Sequence, residues 1–115
     1  MDIVKNTPVK LLFDPYKVDL ELKEVKLDDG SRIEGQFKTG TNIPHGVGKQ
    51  ALFEHSDRLY EGLFINGKWN GYGRLLWEDG HYYIGEFHDG YYHGHGKLVM
   101  ENGQVFEGKW ENSQF

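Results

Sequence analysis

Beyond residue 30 the chain alternates apolar and polar positions in short runs, and glycine interrupts each run before a helical stripe can develop. Residues 82–87 read as one strand. Tyr83, Gly85 and Phe87 share one face, and Tyr82, Ile84 and Glu86 share the other. Residues 105–110 read the same way. Asp29-Gly30, Asp79-Gly80 and Asn102-Gly103 are hairpin signals, because they favour turns with positive φ, where glycine meets no steric penalty. Asn66-Gly67 and Asp89-Gly90 mark wider loops. Upstream, Val18, Leu20 and Leu22 alternate, but the pattern slips by one residue before Val25 and Leu27. The slip predicts a bulge or break between Leu22 and Val25.

The pattern repeats. Tyr60-Glu61-Gly62-Leu63-Phe64 recurs 23 residues later as Tyr83-Ile84-Gly85-Glu86-Phe87, and 23 later again as Phe106-Glu107-Gly108-Lys109-Trp110. Gly71 and Gly73 recur as Gly94 and Gly96 at the same interval. Ile33-Glu34-Gly35-Gln36-Phe37 with Gly46 and Gly48 is a looser copy. It carries two extra residues between Gly35 and Gly46 and two between Gly48 and Gly62. A mid-strand glycine weakens a strand unless something packs over it, so a neighbouring ring is expected across Gly62 and Gly85. The fold expected is all-β: one elongated antiparallel meander sheet of repeated β-hairpins with a period of about 23 residues, each unit touching mainly its neighbours. Residues 1–24 form a short N-terminal extension, and 25–115 an array of about three repeats with partial ends.

Composition narrows the function. All 16 glycines follow residue 29, and aromatics make up 15% of the 115 residues, a combination unlike a disordered linker. The chain lacks cysteine, which removes disulfides, thiol nucleophiles and thiolate metal sites. A net charge of -5 argues against nucleic acid as a partner. Residues 1–10 lack the apolar block of a secretory signal, and no apolar run approaches the roughly 18 residues of a membrane span, so a cytoplasmic location is expected.

These motifs resemble the MORN repeat (membrane occupation and recognition nexus): Tyr-x-Gly-x-Trp/Phe, a glycine loop, then His-Gly-x-Gly. Residues 60–73 and 83–96 carry it, with His93-Gly94-His95-Gly96 nearest the motif; 33–48, with His45-Gly46-Val47-Gly48, is looser. Asn70 stands where the motif has His. The resemblance implies a non-catalytic scaffold or small structural subunit with a protein partner (a peptide, a helix or another subunit). It also implies a cytoskeletal or ciliary setting. A phosphoinositide adaptor is the alternative, but anionic headgroups need Lys/Arg clusters that the chain does not display, which argues against direct membrane binding.

A single sheet cannot bury both faces. Tyr60, Phe64, Trp77, Tyr83, Phe87, Phe106 and Trp110 are therefore the candidate partner-binding residues, to be tested exposed members first. A competing cover is the N-terminal segment, whose Val9, Leu11, Leu12, Phe13 and Tyr16 would fold back across one end. Residues 111–115 look too few to turn and pair, which leaves 106–110 as an open edge for a second copy or another subunit.

Other chemistry fares less well. His93 and His95 share a strand face, with His81 and His88 near in sequence, but a repeat position that makes a loop hydrogen bond explains His45 and His93 without a metal. Asp28-Asp29 and Glu78-Asp79 lie on exposed tips where nothing is expected to shift their pKa. The Gly-x-Gly segments lack the lysine and helix of a phosphate loop. No catalytic residue, cofactor or metal is expected.

Overall fold

The computed structural model describes residues 18–115. They form eight strands: β1 (Leu20–Lys26), β2 (Arg32–Lys38), β3 (Pro44–Leu52), β4 (Arg58–Ile65), β5 (Lys68–Trp77), β6 (Tyr82–His88), β7 (Tyr91–Val99) and β8 (Val105–Trp110). All lie in one antiparallel sheet in chain order, the expected meander of hairpins. Its extents, 57 × 33 × 21 Å, make it elongated. β1 takes in residues 20–24, on the extension's side of the boundary drawn at residue 25. The fold-back of Val9, Leu11, Leu12, Phe13 and Tyr16 lies outside the described residues.

Glycine organises the sheet. Gly35, Gly48, Gly62, Gly73, Gly85, Gly96 and Gly108 pair in succession across β2 to β8. They form a ladder of bare backbone. A Cβ on Gly85 would lie 2.5 Å from the Cα of Gly96, so β6 and β7 approach more closely there than any side chain permits. Rings then cover the ladder from one side, called here the inner face. Tyr60 lies against Gly62 and Gly73, and Tyr83 against Gly85 and Gly96. The hydroxyls of Tyr60 and Tyr83 donate to the carbonyls of Leu63 (2.7 Å) and Glu86 (2.8 Å), which pins each ring in place.

The bulge expected in β1 is absent. Leu20 to Lys26 pair one-to-one with Lys38 to Arg32. The apolar slip arises because Leu20 and Leu22 belong to the outer face and Val25 to the inner one. The irregularities fall instead beside ladder glycines: between Gly35 and Phe37, Gly62 and Phe64, and Gly85 and Glu86. The inserted residues of the looser copy enlarge two loops, 39–43 and 53–57, and leave the ladder in register.

Two turn types alternate along the meander. At one end Gly30, Gly80 and Gly103 close three-residue loops, with φ of 88°, 99° and 90°. At the other, Asn66-Gly67 and Asp89-Gly90 are tight two-residue turns rather than wide loops, with φ positive at both positions. Asn112-Ser113 repeats this turn, with φ of 50° and 63°. Residues 111–115 therefore do turn back, contrary to the sequence expectation. Glu111 bridges Gln114, and Phe115 lies 5.0 Å from the Trp110 ring and against Gly108. The expectation failed because a two-residue turn needs far less chain than a wide loop.

Candidate functional site

The seven rings expected to receive a partner are mostly interior. Tyr60, Phe64, Tyr83, Phe87 and Trp110 are buried, while Trp77 and Phe106 are half-buried against the same core. Their surface is occupied by one another. Trp69 stacks on Tyr60 at 4.4 Å and Tyr92 on Tyr83 at 3.9 Å. Phe87 meets Tyr60 edge-on at 5.2 Å and Tyr83 at 5.1 Å. The Trp110 indole N–H donates to the Gly96 carbonyl at 3.0 Å. The five buried rings pack as core and present no free surface in this structure, and of the seven only Trp77 and Phe106 keep part of theirs. The physical reason is that the inner face packs on itself: each hairpin's rings are long enough to cover the next hairpin's glycines.

A set of exposed apolar side chains lies on the outer face. Leu22 is 79% exposed, Val47 61% and Tyr72 68%, with Leu63 and Ile84 also exposed. Alternation puts them there: Val47, Leu63, Tyr72 and Ile84 each adjoin a ladder glycine, and Leu22 adjoins Lys23, the residue paired with Gly35. Between the two rows of outer side chains the glycine ladder floors a trough. A depression of about 720 Å³ is lined by Leu22, Gln36, Val47 and Lys49 over Gly35, Gly48 and Gly62. A second, of about 350 Å³, is lined by Tyr72, Ile84, His95 and Lys97 over Gly85, Gly96 and Gly108.

One wall of the trough is charged. Glu34, Lys49, Glu61 and Arg74 are successive cross-strand neighbours. Glu61 sits 3.5 Å from Lys49 and accepts a 3.1 Å bond from the Arg74 Nε. The Arg74 guanidinium, then its charge and that of Lys49, hold the Glu61 carboxyl below its ordinary value against a small burial cost.

The other wall breaks the repeat rule. Gln36 and Glu86 are equivalent positions, and each folds over a motif glycine. The Gln36 Oε1 accepts from the Val47 N–H at 2.8 Å, and the Glu86 Oε2 from the His95 N–H at 2.7 Å. Gly46 and Gly94 are needed beneath them, because a Cβ would strike those side chains. In the middle repeat the same position is Leu63, which lies over Gly71 but cannot accept a bond. Leu63 pairs directly with Val47 across β3 and β4. An apolar island thus replaces a polar cap.

The motif His position makes the loop hydrogen bond expected of it. The His45 Nδ1 accepts from the Asn66 N–H at 3.1 Å, and the Asn70 Oδ1 accepts from the Asp89 N–H at 3.1 Å. His93 instead lies 5.3 Å from His88, ring to ring. Among the described residues no three His, Asp or Glu side chains converge as metal ligands would. Two tip carboxylates are perturbed by their own turns. Asp29 is held below its usual value by the Ser31 hydroxyl and N–H, and Asp79 by the His81 N–H and then its ring. The turns themselves supply these donors, which the sequence expectation left out.

Sequence reasoning passed over Leu22, Val47, Leu63, Tyr72 and Ile84. The available signal was parity: each lies an odd number of residues from a ladder glycine and hence on the face opposite the rings. A search of curated proteins finds no match for this chain. A family model for the MORN repeat matches residues 60–82 and 83–105, the two copies whose strands, rings and glycines superpose in register. Repeats of this family commonly serve as protein- or membrane-interaction modules and are generally non-enzymatic. Residues 60–105 are two MORN repeats.

Proposed function

We propose that this protein is a non-catalytic protein-interaction scaffold, or small structural subunit, that holds a protein partner in the outer-face trough. The observation that carries the reading is Leu63. Two repeats place a bond-accepting side chain at that position, and the third forgoes the bond and exposes a leucine beside Val47 and Tyr72. A local rule broken without structural gain marks a functional position, and a contiguous exposed apolar patch marks an interaction surface. The trough suits an extended peptide, a helix or another subunit. A cytoplasmic location with cytoskeletal or ciliary association belongs to the same proposal and rests on the family resemblance.

The test is affinity capture with the wild-type chain and with Val47→Glu and Tyr72→Glu. Loss of one captured protein by both variants, with melting temperatures unchanged, is the expected result. Undiminished capture would reject the trough. Flotation with phosphoinositide vesicles, abolished by the same changes, would replace the scaffold by a membrane adaptor.

A further inference from the structure

This inference rests on the outer face being protein-binding, and it names the occupant. We propose that the occupant is a second copy of this chain, packed outer face to outer face about a two-fold axis that runs parallel to the strands between β4 and β5. Such an axis reverses strand order. It sets β4 against β5 of the second copy and β2 against β7.

The order of side chains along the trough fits that reversal. On the charged row Glu34 is on β2, Glu61 on β4, Arg74 on β5 and Lys97 on β7. Reversal brings Glu61 to Arg74 of the other copy and Glu34 to Lys97 of the other copy, each pair made twice. Neither Glu34 nor Lys97 forms an ion pair within its own chain among the described residues. On the second row Leu63 meets Tyr72 at the axis, again twice, which buries Leu63; on β3 and β6 the reversal sets Val47 against Glu86 and Lys49 against Ile84, pairs that add no charge match. Turning the axis to run across the strands sets the charged row on the mixed row and loses both charge matches. Like charges do meet at the margin, Glu24 on β1 against Glu107 on β8, a repulsion confined to the two outermost strands.

The area is sufficient. From β2 to β7, the strands that the axis sets face to face, the trough spans roughly 24 Å at a strand spacing of about 4.8 Å. A band roughly 25 Å wide over that length covers on the order of 600 Å² per copy, at the lower end of the roughly 600–1,000 Å² per partner of a standard stable interface.

The experiment is sedimentation equilibrium on the full chain up to high micromolar concentration. Wild type is expected to dimerise. Tyr72→Glu is expected to be monomeric with its melting temperature retained. Glu34→Lys and Lys97→Glu should each weaken dimerisation at least about tenfold, and the double reversal should restore it to within about threefold. Within one chain those residues sit five strands apart, about 24 Å, so only contact between copies can couple them. A double reversal no better than either single change overturns the proposal. So does a dimer lost on Lys109→Pro but indifferent to Tyr72→Glu, which would assign pairing to the β8 edge. A photocrosslinker at position 72 that reacts with residues 1–17 of its own chain overturns it too. A monomer that still captures a protein sensitive to Tyr72→Glu rejects the second copy and leaves the scaffold reading intact. A monomer that captures nothing removes both.

Discussion

Gly96→Ala adds one methyl group, and the structure fixes where it goes. The new Cβ would lie 2.5 Å from the Tyr83 Cε2 and closer still to Cζ and the hydroxyl. Tyr83 has nowhere to move. Tyr92 stacks on it at 3.9 Å, Phe87 and Trp110 meet it at 5.1 and 5.7 Å, and the Glu86 carbonyl holds its hydroxyl at 2.8 Å. Gly96 does not have a positive φ, so alanine is not strained by the backbone and the cost is steric. Overpacking costs about 1–3 kcal/mol, and displacing the hydroxyl adds about 0.5–1.5 kcal/mol, for a total of about 2–4 kcal/mol. Gly90→Ala is the control. With φ at 90° and no atom within 4 Å, it carries only backbone strain, about 1–2 kcal/mol. Urea unfolding, followed by the fluorescence of Trp69, Trp77 and Trp110, measures both. The decisive comparison repeats each change in a Tyr83→Leu background. There the Gly96→Ala cost should largely vanish while the Gly90→Ala cost persists. Equal Gly96→Ala costs in both backgrounds would refute the ring-over-glycine account.

Three further outcomes follow from the same geometry. Gln50→Leu should destabilise by about 1–3 kcal/mol in urea unfolding although Leu75 and Leu98 occupy the equivalent positions, because the Trp69 Nε1 and Ser31 Oγ lose the Gln50 side chain as partner (2.9 and 3.2 Å); a neutral result would show that water replaces it. Glu86→Ala should cost about 1 kcal/mol by removing the acceptor of the His95 N–H, whereas Leu63→Gln, which installs that acceptor type, should leave the melting temperature equal or higher and abolish capture; retained capture by Leu63→Gln counts against the island. Burial raises the phenols of Tyr60 and Tyr92, and pushes Tyr83 up to about 12, so the folded state favours the neutral ring: stability is full below the unfolded value of about 10 and falls as pH rises through the folded values. Absorbance at tyrosinate wavelengths should therefore show part of the tyrosine set ionising only together with loss of the circular dichroism signal; full ionisation of a still-folded chain would contradict the burial.

The period, the hairpins and the rings over glycine were legible because each depends on local spacing. A 23-residue repeat of Tyr-x-Gly places ring and bare backbone on one strand face whatever the tertiary context. What was not legible is how far the rings reach. Tyr83 covers Gly96 on the neighbouring strand as well as its own Gly85, and Trp69 and Tyr92 fill the gaps between repeats. With those gaps filled, most of the aromatic rows is packed against its own sheet. The β1 slip was misread for a related reason. One residue out of phase looks the same whether the backbone bulges or the apolar residues change face, and only pairing with β2 separates the two.

That division of labour underlies the proposal that the outer face receives the partner. The inner-face rings Tyr60, Tyr83, Phe87 and Trp110 touch the neighbouring hairpin through a ring edge or an indole N–H, so a change there is felt by two repeats at once. On the outer wall formed by Gln36, Leu63 and Glu86, each side chain reaches only the adjacent strand. Gln36, Leu63 and Glu86 share one structural position, yet only two of them accept a backbone bond, and the same local register shift accompanies all three while the glycine ladder stays paired. A surface whose chemistry can vary repeat by repeat without disturbing the glycine ladder is where a partner can be specified. Leu63, between Val47 and Tyr72, is the position at which this array departs from its own pattern.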